Sequence, residues 1–195
     1  MRIVLYNFVQ PDDSVSKQGG GVAIYQRNLI NALRERGHDV ISLSSGDQYT
    51  VLRPYPRVRY STERGIPRAV ILNSPMFAPA HAVFYALDRY HDPGLDRITA
   101  ELKRRFGHID VFHFQNVEGI TAGFLRQVRA TFSGSRIVFS AHNYNLVCPQ
   151  VNLWFREHKV CEDYREGRAC VNCLLSDDRS NGNSELAGLR VCLTS

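Results

Sequence analysis

The sequence predicts an α/β fold with a doubly wound parallel sheet. Its N-terminal part holds a strand-like segment, Arg2–Phe8, an amphipathic segment that starts at Val22 and stops at Gly37, and a second strand-like segment, Asp39–Leu43. Apolar residues of the middle segment recur at helical spacing, and Gly37 can adopt the left-handed conformation that ends a helix. Met1–Leu43 is therefore interpreted as one β-α-β unit with parallel strands.

Strand and helix patterns continue to alternate along the chain, as they do in doubly wound domains. Strands are predicted at Val70–Leu72, Asp110–Phe114 and Arg136–Ser140. Helices are predicted at His81–Tyr90, Asp96–Phe106 and Gly119–Ala130. Ser45–Arg68 contains three prolines and no sustained period, which predicts a long irregular loop.

The composition limits the classes of partner. With 195 residues, 44% of them hydrophobic, the chain suits one domain with or without an appendage. It has neither a signal-peptide pattern nor an apolar stretch of roughly 20 residues, so we expect a soluble cytoplasmic protein. The net charge of +5 suits a phosphorylated ligand or an anionic membrane face, although a solvated basic surface explains it more simply. No nucleic-acid-binding motif accompanies the charge, so nucleic acid is not expected.

A run of three glycines, Gly19, Gly20 and Gly21, lies between the first predicted strand and the first predicted helix. Glycine lets backbone N–H groups approach an anion, and a helix N-terminus favours negative charge. The arrangement is typical of a phosphate cradle and predicts a nucleotide-linked ligand. A flexible loop is the alternative interpretation.

Polar residues are predicted at the carboxyl ends of the strands, where open parallel sheets bind ligands. They are Asn7, His113 to Glu118, and His142 with Asn143. A histidine at such a position either takes part in chemistry or hydrogen-bonds a neighbouring loop. No carboxylate is spaced to form an obvious pair with either histidine, so the sequence does not assign a general acid or base.

Four cysteines, Cys148, Cys161, Cys170 and Cys173, lie close in sequence, and the last two form a Cys-x-x-Cys pair. The set is compatible with a structural zinc site, in which His158 can replace one sulfur. Free thiols and disulfides are the alternatives, and disulfides are rare in cytosolic proteins.

Three ordered motifs resemble those of family 4 glycosyltransferases. The first is Gly19–Gly21 with the helix and strand that follow, and the second is the strand-end histidine in Val111–Gly119, VFHFQNVEG. The third is Phe139–Cys173, where a strand ends in His-Asn-Tyr and is followed by Cys-Pro and a cysteine-bearing excursion. Together the motifs cover most of Met1–Cys173.

The resemblance implies two facing Rossmann-like domains, of which the N-terminal one binds the acceptor and the C-terminal one binds a nucleotide-sugar donor. It implies retaining transfer of the sugar to a glycan or lipid-linked acceptor, with no catalytic cofactor, and it suits peripheral association with the inner membrane face. By resemblance, His142 is catalytic and lies near the transferred sugar. The donor diphosphate is assigned to Gly19, Gly20 and Gly21, and the acceptor to His113, Asn116 and Asn143.

The expected organisation is a Rossmann-like domain at 1–147, a cysteine-bearing excursion at 148–173 and an irregular tail at 174–195. The donor domain of the family has no counterpart before Ser195. We therefore expect a truncated transferase, or an acceptor domain that needs a partner chain. A non-catalytic carbohydrate- or nucleotide-binding module is the competing class of function.

Overall fold

The computed structural model describes residues 1–8, 10–11, 16–53, 55–76, 94–144, 146–148, 152–156 and 158–175. The predicted helix His81–Tyr90 lies outside these residues, as does the predicted tail beyond Leu175. The described residues form two compact units, one ending at His142 and the other starting at Asn143. None of the described helices is both long and apolar enough to cross a membrane.

The described part of the first unit is a six-stranded sheet with helices. In chain order its elements are β1 Arg2–Tyr6, α1 Ser16–Glu35, β2 Asp39–Ser45, β3 Arg57–Glu63, β4 Ile66–Leu72, α2 Leu95–Phe106, β5 Val111–Phe114, α3 Ala122–Thr131 and β6 Arg136–Phe139. The strand order is β3-β4-β2-β1-β5-β6, and each neighbouring pair is parallel except β3 with β4. The predicted α/β class with a mostly parallel sheet is confirmed.

Helices pack on both faces of this sheet. Alternate residues of a strand point to opposite faces. Tyr6 of β1 belongs to a core that includes Phe124 of α3, whereas Leu5 belongs to a second core that includes Ile30 of α1. The central strand β1 is therefore buried from both sides, as parallel sheets require.

The order of the strands reverses at β1. The chain runs from β1 to β2 and β4 on one side, and returns on the other side with β5 and β6. In register, Tyr6 pairs with Leu43 of β2 and with Phe114 of β5. The residues that follow these positions lie at a topological switch point, where open α/β sheets bind ligands.

The prediction of a long irregular loop at Ser45–Arg68 is wrong. Two strands of seven residues, β3 and β4, form an antiparallel hairpin there. Arg64 and Gly65 connect them with φ angles of 50° and 73°, the positive values that a two-residue type I′ turn needs. Pro67 is tolerated in β4 because pairing with β2 begins only at Arg68.

The glycine run lies inside α1 and not in a turn before it. The helix begins at Ser16, whereas the sequence predicted a start at Val22. Within a helix each N–H group bonds to the carbonyl four residues earlier, so the N–H groups of Gly20 and Gly21 already have partners. The predicted cradle of open glycine N–H groups is therefore wrong in this form, and the contact with a diphosphate stays a prediction.

The described part of the second unit contains a short hairpin and a helix. The hairpin pairs β7, Trp154–Phe155, with β8, Lys159–Val160, and a turn at Arg165–Gly167 leads into α4, Arg168–Leu175. Among the residues of this unit whose burial is described, Cys173 is the buried one. The described part therefore has little apolar core of its own, and the predicted excursion at 148–173 stays a prediction.

Candidate functional site

Several residues predicted at strand ends come together at the switch point of the sheet. Asn7 follows β1, Gln115 and Asn116 follow β5, and His142 lies just beyond β6. The backbone N–H of Gln115 donates to the carbonyl of Tyr6 at 2.9 Å, so the ladder between β1 and β5 continues past the strands. Hydrogen bonds of the sheet therefore fix the backbone near these polar side chains.

His113 is half-buried at the end of β5. Its Nε2 lies 2.8 Å from the hydroxyl oxygen of Ser140, which follows β6. Burial, and then the charge on His142, lower the pKa of His113 below its ordinary value of 6.5. His113 is therefore a neutral imidazole at pH 7, suited to hydrogen bonding and not to acting as a cation.

His142 is exposed but is held by contacts from two elements. Its Nε2 lies 2.9 Å from Oε1 of Gln115, which is fully buried. The ring of Tyr25 on α1 packs against it with 5.0 Å between centroids and 58° between planes. These contacts favour one orientation of the imidazole at the mouth of the switch point.

The sequence did not single out Tyr25 and Gln115 as site residues. Tyr25 belongs to the apolar stripe of α1, and its role appears only from its exposure of 44% and its contact with His142. Gln115 lies within the predicted span at the end of β5, but a glutamine has no chemistry that draws attention. The sequence feature that could have indicated the role of Tyr25 is the presence of a tyrosine on the helix that follows the first strand.

Two asparagines join the ends of β1 and β5. Asn116 Nδ2 donates to Asn7 Oδ1 at 2.6 Å, and both residues are buried. Among the described residues, the remaining atoms, Asn7 Nδ2 and Asn116 Oδ1, have no hydrogen-bond partner. The pair therefore holds one donor and one acceptor that are buried from solvent at this edge. Asn143, the other predicted acceptor residue, belongs to the second unit.

The segment after Asn116 is clamped to neighbouring strands at Gly119. The hydroxyl groups of Ser45 and Ser74 each donate to the carbonyl of Gly119 at 2.7 Å. Gly119 has a φ of 76°, and a Cβ at this position would overlap the carbonyl of Ser45. Only glycine satisfies both the conformation and the close approach.

Gly21, the last glycine of the run, and Tyr25 lie on one side of α1. Gly21 precedes Tyr25 by one helical turn, a spacing that places both residues on the same face. A Cβ on Gly21 would meet no atom within 4 Å. The face that carries the contact with His142 therefore has open space beside it.

The cysteines are near one another but do not form a ready metal site. Burial, and then the charges of Cys148, Cys161 and Cys173, raise the pKa of the Cys170 thiol. Cys173 Sγ accepts a hydrogen bond from the backbone N–H of Arg156 at 3.2 Å. In the part of the chain that the structure describes, no group of three or more His, Cys, Asp or Glu side chains is placed to hold a metal ion.

Comparison with family models decides the family. The model described as Glycosyltransferase Family 4 matches residues 19–166, which is most of the chain. The chain belongs to this family. The match covers α1 from Gly19 onward, the strand-end histidines, and Cys148 and Cys161. The resemblance seen in the motifs is therefore confirmed at family level.

Solved structures similar to this family 4 domain are larger proteins. One, from E. coli, is trehalose-6-phosphate bound with UDP-2-fluoro glucose, at 13% identity and a TM-score of 0.47, covering 77% of this chain and 35% of that one. Another is the catalytic domain of starch synthase IV from Arabidopsis thaliana bound to ADP and acarbose, at 17% identity and a TM-score of 0.41, covering 74% and 34%. The chain thus spans about a third of each. The curated proteins contain no significant match.

Proposed function

We propose that this family 4 domain is the acceptor-side part of a retaining glycosyltransferase. The reaction moves a sugar from a nucleotide-sugar donor to a glycan or lipid-linked acceptor, on the cytoplasmic side of a membrane with which the basic domain associates peripherally. The observation that carries the proposal is the family match over residues 19–166. The donor domain comes from further sequence of the same protein or from a partner chain.

The residues at the switch point supply the acceptor half of the reaction. His142 contacts the transferred sugar, and His113 and Asn116 hold hydroxyl groups of the acceptor. Asn143, which belongs to the second unit, is assigned to the acceptor by the resemblance to the family. The neutral state of His113 suits this role, because a neutral imidazole both donates and accepts hydrogen bonds.

The N-terminal part of α1 faces the donor diphosphate in this proposal. A departing nucleoside diphosphate develops negative charge, and the N-terminal end of a helix favours such charge without reorganising. Gly19, Gly20 and Gly21 stay assigned to the diphosphate in this proposal, and Gly21 contributes by keeping its face of the helix clear, as the open space beside it indicates. This role replaces the cradle of open glycine N–H groups that the sequence predicted.

A structural zinc ion on Cys148, Cys161, Cys170 and Cys173 belongs to the same proposal. Cys161 follows β8 directly, and Cys170 and Cys173 share one face of α4 at a spacing of three residues. Cysteine sulfurs in this pattern are the ligands that structural zinc prefers. The thiols must move together on binding, because they are not arranged as a metal site beforehand.

Replacement of His142 by alanine tests the catalytic assignment. In the active protein, with its donor domain present, we expect His142→Ala to lower kcat by about 10²–10³, the typical cost of one preorganised group at a reacting centre. The unfolding temperature should stay unchanged, because His142 is exposed. His108→Ala is the matched control, since His108 is an exposed histidine that precedes β5 and bonds Asp110 at the amino end of the sheet. If the alanine variant melts several degrees lower and keeps its rate, His142 is structural.

A further inference from the structure

Gln115 is fully buried, and the two polar atoms of its side-chain amide differ in their hydrogen bonding. Its backbone is fixed by the bond from its N–H to the carbonyl of Tyr6. Its side-chain Oε1 lies 2.9 Å from Nε2 of His142, whereas its side-chain Nε2 is buried without a hydrogen-bond partner. One side of the amide therefore contacts the candidate site and the other side contributes nothing to hydrogen bonding.

A buried donor without a partner is unfavourable for folding. Leucine has a similar volume and carries no such donor, so the core around this position would be better satisfied by leucine than by glutamine. A contribution to folding stability therefore does not explain why a glutamine occupies position 115. Among the described residues, the hydrogen bond that the side-chain amide makes is the one to His142.

That bond fixes the protonation pattern of the ring. An amide oxygen can only accept a hydrogen bond, so Nε2 of His142 carries the proton and Nδ1 is the basic nitrogen when the ring is neutral. The ring of Tyr25 restrains the imidazole from a second direction. Without the amide, an exposed histidine in the segment after β6 can turn among several rotamers.

We propose that Gln115 is a positioning residue, which holds the imidazole of His142 in one orientation and protonation pattern for its role at the transferred sugar. The claim that catalysis uses this orientation rests on the proposed function. The orientation itself is a property of this chain, so it can be measured without any transfer reaction.

Gln115→Leu tests the inference by spectroscopy on the chain labelled at histidine with ¹⁵N and ¹³C. In the wild type we expect a single set of His142 ring signals with Nε2 protonated. In the leucine variant we expect those signals to average towards the values of an unfolded peptide, while the unfolding temperature stays within about 2 °C of the wild type. In the active protein the same variant should lower kcat with little change in KM for the donor.

Two further variants complete the test. Gln115→Glu keeps an acceptor oxygen, and its carboxylate also favours the charged imidazole. This variant should therefore show a single set of His142 ring signals, without averaging, in which Nε2 carries a proton. Gln26→Leu is the matched control, because Gln26 is also fully buried and has two unpartnered amide atoms, but has no bond to His142. We expect Gln26→Leu to leave the ring signals unchanged.

The inference fails under any of four results. Unchanged ring signals in Gln115→Leu would show that the amide does not orient His142, and a fall of more than about 4 °C in its unfolding temperature would show a structural role. Averaged signals in Gln115→Glu would exclude the acceptor oxygen as the cause, and averaged signals in Gln26→Leu would show an unspecific effect. Loss of transfer activity by itself bears on the proposed function and not on this inference.

Discussion

Gly119 is a residue at which a single added methyl group overlaps the neighbouring backbone. Its positive φ of 76° costs any other residue about 1–2 kcal/mol, and the overlap of a Cβ with the carbonyl of Ser45 adds about 1–3 kcal/mol. We therefore expect Gly119→Ala to lower the free energy of unfolding by about 2–5 kcal/mol. Urea unfolding of the purified chain measures this change.

Gly37 offers a matched control for that prediction. Its φ is 77°, but a Cβ there meets no atom within 4 Å. Gly37→Ala should therefore cost only the conformational part, about 1–2 kcal/mol. Equal losses for the two variants would show that the contact between Gly119 and Ser45 has no energetic weight.

Single residues of the site were predictable where a strand end was predictable. Asn7, His113, Asn116 and His142 follow from the rule that ligands bind beyond the carboxyl ends of parallel strands. The role of Gln115 did not follow, because a buried glutamine is recognised only by its partners, and these come from a segment 27 residues away in sequence. Long-range contacts of this kind are set by packing and leave no local pattern.

At the level of elements, the sequence predicted strands with continuous apolar character and missed the polar edge strand. β3 is an edge strand with the sequence RVRYSTE, whose side chains are largely exposed or half-buried. The alternation of apolar and polar residues in β3 is weak because β3 pairs with β4 on one side and has no neighbouring strand on the other side within the described sheet. The two prolines that precede it suggested a loop, whereas the turn signal at Arg64 and Gly65 was the feature that indicated a hairpin.

The start of α1 shows a second limit of local patterns. Glycine disfavours the interior of a helix by about 1 kcal/mol relative to alanine, so the run at Gly19–Gly21 suggested a turn. The structure continues the helix back to Ser16. Packing of the apolar residues further along α1, such as Ile30, stabilises the helix and outweighs the local preference.

The cysteine-bearing elements carry a prediction about metal. Purified under reducing conditions, the chain should contain about one zinc ion per molecule, because β7, β8 and α4 have little apolar core and gain order from a cross-link. Elemental analysis measures the zinc, and limited proteolysis measures the order of 148–173. Cys170→Ser/Cys173→Ser should lose both. The control is Cys192→Ser, which changes the fifth cysteine of the sequence, a residue with no assigned role, and it should retain both. A zinc-free wild-type chain whose 148–173 segment resists protease would leave free thiols or disulfides.

For the whole molecule, the sheet type and the family were accessible from the sequence, and the strand order was not. Alternating strands and helices with apolar strands on both faces predict a parallel sheet. The position of β1 between β2 and β5 places the switch point, and it depends on which long-range pairs form. The motifs that contain His113 and His142 placed candidate residues at that point without the strand order, because these histidines lie near the carboxyl ends of β5 and β6.

The proposed division between acceptor and donor domains predicts how the 195-residue chain behaves alone. His113 and Asn116, which are assigned to the acceptor, lie at the switch point of one sheet. The stabilisation of the departing diphosphate comes largely from a second domain in this proposal. The isolated chain should therefore transfer sugar from radiolabelled nucleotide sugars to lipid extracts far more slowly than a complete transferase. Turnover by the isolated chain in the usual enzymatic range, about 1–10³ per second, would contradict the need for a second domain. Recovery of activity on adding a donor domain, but not with the same domain and the His142→Ala chain, would support the division and place the acceptor-side chemistry on this chain.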